Sequence, residues 1–441
     1  MASLRAPFTL GALLAGLALP GPAPAADLIE LFNRAQEVDP SVAQAQRELA
    51  ITRYQEDQAR AGLMPRLTGH AAQEWVQQDD TINIGPTPQD RSLSYDQTSY
   101  GITLTQPLFS GGRTWVAMDI ADQAQERAQS GLSAARQDLI VRVAEAYFGV
   151  LDAKEELELA QRERRRVGEH LERARAQYEV GTGDITGVRE AEARRDQAQT
   201  RLIRTRNGLR TARQRLRRQI RREVPALQGV ESVALRQPEP ADAEAWVERA
   251  LAESPQLNQL RQEQSIAQKN AELASRERWP ELSASASYNR QEGGSFTDEA
   301  TTQSYGVNLS WPLYQGGAVS AKAAMEHERA AQARLQLDDQ RQAVRLGTVQ
   351  AYNDLETAIE EVKSLRAEVG SAETQLEAVQ TGFEVGRRTS LDVLDAQQVY
   401  FDALRNLASA RHGYLLARLR LKAAAGVLSA EDVRRVNAEL D

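Results

Sequence analysis

No cysteine occurs in the 441 residues. That excludes disulfides, thiolate metal sites, a cysteine nucleophile and a lipid-modified N-terminal cysteine. Histidine is nearly as scarce, and His70, His170, His327 and His412 show no HExxH or other metal-ligand spacing. His327 lies between Glu326 and Glu328, but sequence neighbours point to different sides of a helix, so no metal is expected there. Aromatics make up only 5% of the chain, too little for a large oily core. An excess of basic charge is also missing: 54 basic residues meet 62 acidic ones, for a net charge of -8. No global nucleic-acid footprint follows from that balance, and no nucleic-acid partner is expected. Without a nucleophile–base pair or a metal cluster, neither an enzyme nor a cofactor is expected.

What is present begins with an address. Arg5 precedes an apolar stretch from Thr9 to Leu19, and Ala23-Pro24-Ala25 fits an A-x-A cleavage site. Residues 1–25 therefore read as a secretory signal peptide cut after Ala25. The apolar run falls short of the ~20 residues of a spanning helix, and no later segment reaches that length. An exported chain of this kind can cross a membrane only with strands.

The remainder is two copies of one plan. Gln106-Pro107-Leu108-Phe109-Ser110-Gly111-Gly112 matches Trp311-Pro312-Leu313-Tyr314-Gln315-Gly316-Gly317. Ala146-Tyr147 matches Ala351-Tyr352, and Tyr178-Glu179-Val180-Gly181 matches Phe383-Glu384-Val385-Gly386, all at one offset. Upstream, Asp39-Pro40 answers Ser254-Pro255 and Met64-Pro65 answers Trp279-Pro280 at a different offset, which an insertion in a loop of the first copy explains. The first repeat spans 26–227, with a strand pair about 66–107, a long helix about 113–180 and a return helix about 184–222. The second spans 228–441, with a strand pair about 281–312, a long helix about 318–385, a return helix about 390–425 and a C-terminal tail.

Leu139, Val143, Tyr147, Val150 and Leu157 recur at helical spacing, and Val344, Tyr352, Leu355 and Val362 nearly repeat them. At 1.5 Å per residue each uninterrupted stretch reaches ~100 Å, so these helices must lie against one another as a bundle, coiled coil or tube. Gly181 and Gly386 then end them as left-handed C-cap glycines. Between the helices the period changes to two. Leu282, Ala284, Ala286 and Tyr288 alternate with serines and Asn289, and Tyr305, Val307, Leu309 and Trp311 alternate with polar or small residues. Tyr100, Ile102 and Leu104 do the same, with a weaker partner through Leu67, Gly69, Ala71 and Trp75. Polar loops, Asp79 to Ser94 and Glu292 to Thr301, join each pair. A soluble, half-buried hairpin alternates in the same way as a membrane strand, so an exported coiled-coil scaffold or adhesin is the rival reading. Export, flanking aromatics and the want of a partner sheet favour the membrane. Four strands cannot close a lipid-facing pore. Eight would be filled by their own side chains, whereas twelve leave a lumen, so three or more copies are expected of a duct.

The run from Gln106 to Arg113 (QPLFSGGR), its counterpart from Trp311 to Ala318 (WPLYQGGA), YEVG at Tyr178–Gly181 and FEVGRRTSLDVLDAQQ at Phe383–Gln398 resemble the TolC family of outer-membrane channel proteins. The resemblance covers essentially the whole mature chain. It implies a mainly α fold with a small β part: a long antiparallel α-helical tunnel in the periplasm, and four strands per chain in the twelve-stranded outer-membrane β-barrel of a homotrimer. It also implies contact with outer-membrane lipid, a periplasmic adaptor (membrane fusion) protein, and an inner-membrane partner, either an efflux pump or an ABC transporter of type I secretion. Asp392 and Asp395 match the family's acidic pair at the periplasmic entrance, where six carboxylates around one axis would favour cations within a Debye length of ~8–10 Å. Arg388 matches an arginine that ties the entrance shut. Its usual carboxylate partner aligns with Gly187, leaving Asp184 as the substitute, and Phe383 stands where the family has tyrosine. Gly181, Thr182, Gly183, Gly386 and Arg387 fall at the turns that meet the adaptor. The ten arginines between Arg201 and Arg222 read as a solvated helix face, with no counterpart of equal charge in the second copy.

Overall fold

The computed structural model describes residues 26–82, 89–230, 232–294 and 298–439; the expected signal peptide at 1–25 lies outside them. Helices α1 (Leu28–Val38) and α2 (Pro40–Ala61) meet at Asp39, whose carboxylate caps α2 by accepting from the Ser41 and Val42 amides at 2.9 and 3.1 Å. Pro40 occupies the first turn, where a missing N–H costs nothing. Strands β1 (Arg66–Ile82) and β2 (Gln89–Ser110) follow, then α3 (Arg113–Glu179) and α4 (Ile185–Ile220). The second copy supplies α5 (Ala243–Glu253), α6 (Pro255–Ser275), β3 (Glu281–Glu292), β4 (Glu299–Ser310), α7 (Ala318–Glu384) and α8 (Ser390–Ala424), and α9 (Ala430–Asn437) closes the chain.

Each strand-to-helix transition turns on a glycine pair. Gly111, Gly112, Gly316 and Gly317 all have φ between 61° and 85°, a region L side chains avoid. A Cβ on Gly111 would also lie 2.8 Å from the Trp279 Cβ. The two Gly-Gly motifs are thus required by the backbone that redirects a strand into a 67-residue helix.

The helices form two consecutive layers along the long axis. On the strand side α2 packs on α3, α3 on α6 and α6 on α7; on the far side α4 packs on α3, α3 on α8 and α8 on α7. Each chain is therefore a four-column wall, with α2 and α4 forming one open edge and α7 the other. The main core lies where the layers meet. There Leu139, Val143, Tyr147 and Val150 of α3 are buried together with Tyr352, Leu355 and Val362 of α7 and Tyr414 and Leu415 of α8. The buried Tyr147 hydroxyl donates to the Gln228 carbonyl at 2.8 Å, and the Tyr414 hydroxyl accepts from the Arg236 amide at 2.8 Å. These bonds pin the link between the copies to the bundle.

The four strands form one antiparallel sheet in the order β1-β2-β3-β4. Its register puts the alternating residues on a common face. Leu67 pairs with Leu104, Leu104 with Ala286 and Ala286 with Tyr305, while the next row on the opposite face reads Thr68, Thr103, Ser287 and Ser304. Nothing in the described residues covers the apolar face: Leu67, Ile102, Tyr305, Val307 and Leu309 are all more than half exposed. A soluble hairpin would bury that face, so the scaffold reading loses its support.

The first-copy insertion differs from expectation. It lengthens the strands: β1 and β2 have 17 and 22 residues against 12 each in β3 and β4. Pairing of β2 with β3 ends at Thr98, and the hairpin beyond it, through most of the expected Asp79–Ser94 loop, is held by β1 and β2 alone. Among the described residues no helix is long and apolar enough to cross a membrane.

Candidate functional site

The two helical turns at the far end of the bundle bring together most of the expected site residues. Both long helices stop in the same way. Gly181 (φ 78°) and Gly386 (φ 73°) are left-handed. The next amides, of Thr182 and Arg387, reach back to the carbonyls of Gln177 and Gly382 at 2.9 and 2.8 Å, while the glycine amides donate to Tyr178 and Phe383 at 3.0 Å each. This double bond pattern satisfies carbonyls that a helix end leaves orphaned. Thr182 and Arg387 are exposed at the tips, Gly183 is half-buried, and beside them Val180 and Val385 are 74% and 64% exposed. In YEVG and FEVG the glycine carries the local signal, and nothing in the spacing marks the valine before it as exposed.

Asp392 has a structural task as well as a charge. Its carboxylate accepts from the Thr389 amide at 2.8 Å and hydroxyl at 3.0 Å, while the Thr389 hydroxyl accepts from the Asp392 amide, a reciprocal cap on α8. Those bonds from Thr389, helped by the charge of Arg388, hold the carboxyl below its usual range. Asp395, one turn on, is engaged across the copies. It pairs with Arg194 of α4, whose other terminal nitrogen donates to Gln398 at 2.6 Å. Arg194 is a residue that sequence reasoning passed over.

Arg388 and Asp184 are not brought together. Among the described residues no carboxylate lies within 4.0 Å of Arg388, whose stem folds over Gly382 on its own turn. Asp184 occupies the N-cap position of α4, and its carboxyl is drawn below the usual range by Thr186. Gly187 faces Ser390 instead: a Cβ added there would stand 3.5 Å from the Ser390 Cβ.

Ser390 is also the anchor of a second unanticipated contact. Buried His170 of α3 meets the Ser390 hydroxyl at 2.6 Å and packs its ring against Phe383 at 5.6 Å. Around it Val167, Leu171, Ala174, Val188, Ala191 and Leu394 form a small separate core. Burial, then the nearby Arg173 charge, lowers the His170 pKa. The folded end therefore binds its proton less readily than the unfolded chain does. The contact is at full strength above the ordinary imidazole range and weakens as pH falls through it. We expect the protection factors of amides in Val167–Ala174 and Ser390–Leu394, with the intrinsic pH dependence of exchange divided out, to fall on mild acidification, and His170→Gln to remove that fall. An equal fall in the variant would rule the histidine out.

Higher up, Glu163 of α3 is buried and accepts from Arg201 of α4 and Arg405 of α8, each at 3.1 Å; Arg405 also pairs with Asp402. Three helices share this charge cluster. Among the described residues no group of His, Cys, Asp and Glu is arranged to hold a metal ion.

A sequence profile for "Outer membrane efflux protein" matches residues 31–220 and 246–427. Outer membrane protein TolC of Vibrio cholerae is 34% identical over 94% of this chain and 94% of its own length. Alkaline protease secretion protein AprF of Pseudomonas aeruginosa is 31% identical over 93% of this chain and 86% of its own. Among solved structures, the Campylobacter jejuni CmeC outer membrane channel superimposes with a TM-score of 0.80 at 13% identity, covering 100% of this chain and 98% of that one. With both copies matched and the fold shared, the chain belongs to the outer membrane efflux protein family.

Proposed function

We propose that three copies of this chain form a passive exit duct, a twelve-stranded outer-membrane barrel continued by a periplasmic tunnel of α-helices. The observation that carries this reading is the uncovered apolar sheet with two open edge strands. Unpaired N–H and C=O groups are not tolerated in hydrocarbon, so β1 must pair with β4 of another copy. Residues 1–25 are the leader that delivers the chain for assembly. No bond is made or broken in such a duct.

The turns form its periplasmic entrance. Val180 and Val385, exposed beside Thr182, Gly183 and Arg387, offer six small apolar tips per trimer, a surface suited to the hairpin ends of an adaptor that joins the duct to an inner-membrane transporter. Among relatives, AprF is named for alkaline protease secretion, and CzcC of Cupriavidus metallidurans, 28% identical, for cobalt-zinc-cadmium resistance. Both kinds of service, efflux and type I secretion, suit an exit duct that is indifferent to its motor.

Selectivity arises at the Asp392 and Asp395 rings. Asp395 is partly offset by its ion pair with Arg194, and Asp392 more loosely by the nearby Arg388 charge. In planar bilayers the purified protein is expected to form discrete, cation-preferring channels. The double variant Asp392→Asn, Asp395→Asn should lower the cation-to-anion permeability ratio by on the order of tenfold. An unaltered ratio places the selective step elsewhere, and silence at high protein load refutes the duct.

A further inference from the structure

Among the described residues, most of the arginine run has no carboxylate partner within one chain. From Arg201 to Arg218, α4 carries eight arginines and no carboxylate. Among the described residues only Arg201 and Arg217 have a carboxylate within 4.0 Å, in Glu163 and Asp402 and in Glu223 respectively. Arg206, Arg210, Arg213 and Arg217 stand three or four residues apart, a spacing at which like charges repel along a helix. Such a stack calls for a counter-charge from outside the chain.

The other open edge supplies one. On α7, Asp354, Glu356, Glu360, Glu361 and Glu368 are exposed, and among the described residues Glu360 alone has a cation within 4.0 Å, its helix neighbour Lys363. The heights of the two stripes follow from contacts inside the wall. Arg201 is level with Asp402 at 3.8 Å, so α4 and α8 rise together; α8 and α7 run antiparallel, with the Thr348 hydroxyl 3.4 Å from the Ala424 carbonyl. Carried from α4 to α7, that register sets Arg204 level with Glu368, Arg210 with Glu360 and Glu361, and Arg217 with Asp354. The same reasoning through α2, α3 and α6 sets Tyr54 of α2 level with Leu335 of α7, two apolar side chains that are 73% and 70% exposed.

We propose that the arginine face of α4 is the basic half of a seam between protomers, and that its acidic half is the Asp354–Glu368 stripe of α7 on the neighbouring copy, with Tyr54 and Leu335 as an apolar contact above it. This inference rests on the trimeric duct and specifies what joins its walls. Wall order dictates the neighbour: with α2 and α4 at one edge and α7 at the other, a closed ring brings α7 of one copy against α4 of the next. Opposite charge then fixes the axial register, since sliding one wall by a few residues pairs arginine with alanine or lysine.

The chain has no cysteine, so introduced thiols are the only ones present. The full-length variant Arg210→Cys, Glu360→Cys is oxidised in detergent and its chains are resolved under denaturing conditions, while the mass of the native particle is measured in parallel. The expected result is covalent dimers and trimers from the double variant and none from either single variant. A trimeric particle that does not cross-link, and whose Arg210→Cys thiol reacts freely with a maleimide, overturns the seam and leaves the stripe open to another partner while the trimer stands. A monomeric particle overturns the trimer itself. Charge reversal gives a second reading: Arg210→Glu, Arg217→Glu should lower the temperature at which the trimer dissociates, and adding Asp354→Arg, Glu360→Arg should restore it. Failure of the second pair to rescue would equally overturn the seam.

Discussion

Arg194→Ala is expected to leave the duct standing open. Arg194 joins the return helices of the two copies near their turns, through its ion pair with Asp395 and its 2.6 Å bond to Gln398. The pair is partly exposed, so its contribution is about 1 kcal/mol in each chain. In the proposed trimer three chains share one aperture and must part together, which makes the combined effect ~3 kcal/mol, or ~100-fold in the open-to-closed ratio. The measurement is single-channel recording of the purified protein, with antibiotic susceptibility of the host as the cellular counterpart. Long openings in Arg194→Ala, set against modest changes in Arg388→Ala, would locate the tie where the geometry puts it. If Arg388→Ala opens the channel and Arg194→Ala does not, the closing contact involves Arg388 of one copy and a carboxylate of another.

The strands and long helices were legible because a wall exposed on two sides must repeat its pattern: period two in the sheet, period 3.6 in the helices. The glycines at 111–112, 316–317, 181 and 386 were legible because only a left-handed backbone makes such turns. The extension of β1 and β2 was not, for a physical reason. From Gln77 to Asp79 and from Asp90 to Ser92 the strands bear polar residues on both sides, having left the band where one side must be apolar, so alternation vanishes while hydrogen bonding continues. The entrance contacts were hidden by distance along the chain. Arg194 and Asp395 lie 201 residues apart, and His170 and Ser390 lie 220 apart, so no local spacing announces either pair. Arg388 takes its expected role from the family resemblance, and Asp184 its own from lying one turn before Gly187, where the usual partner aligns. Equal position along two similar hairpins does not make two side chains converge, and Arg388 folds over Gly382 on its own turn.

The sheet gives the sharpest test of the whole architecture, because two substitutions three residues apart on β4 should have opposite consequences. Val307 is 65% exposed and shares its face with Ala284, Leu104 and Ile102, whereas Ser304 lies in the polar row with Ser287, Thr103 and Thr68. If the apolar face meets lipid, Val307→Arg places a guanidinium near the middle of the hydrocarbon at a cost of about 2–4 kcal/mol per chain. One barrel contains three such sites, so the penalty totals ~6–12 kcal/mol, comparable with the whole stability of an ordinary domain. The variant should yield no detergent-stable oligomer, and its outer-membrane pool should collapse. Ser304→Arg instead projects into an aqueous lumen, where the same side chain is hydrated. It should assemble normally and shift the channel toward anions. Assembly of both variants would mean that neither face meets lipid, and failure of Ser304→Arg alone would mean that the sheet faces the other way. Because β3 and β4 are paired residue for residue along this stretch, neither substitution changes a backbone hydrogen bond, and the contrast reports only on what each face touches.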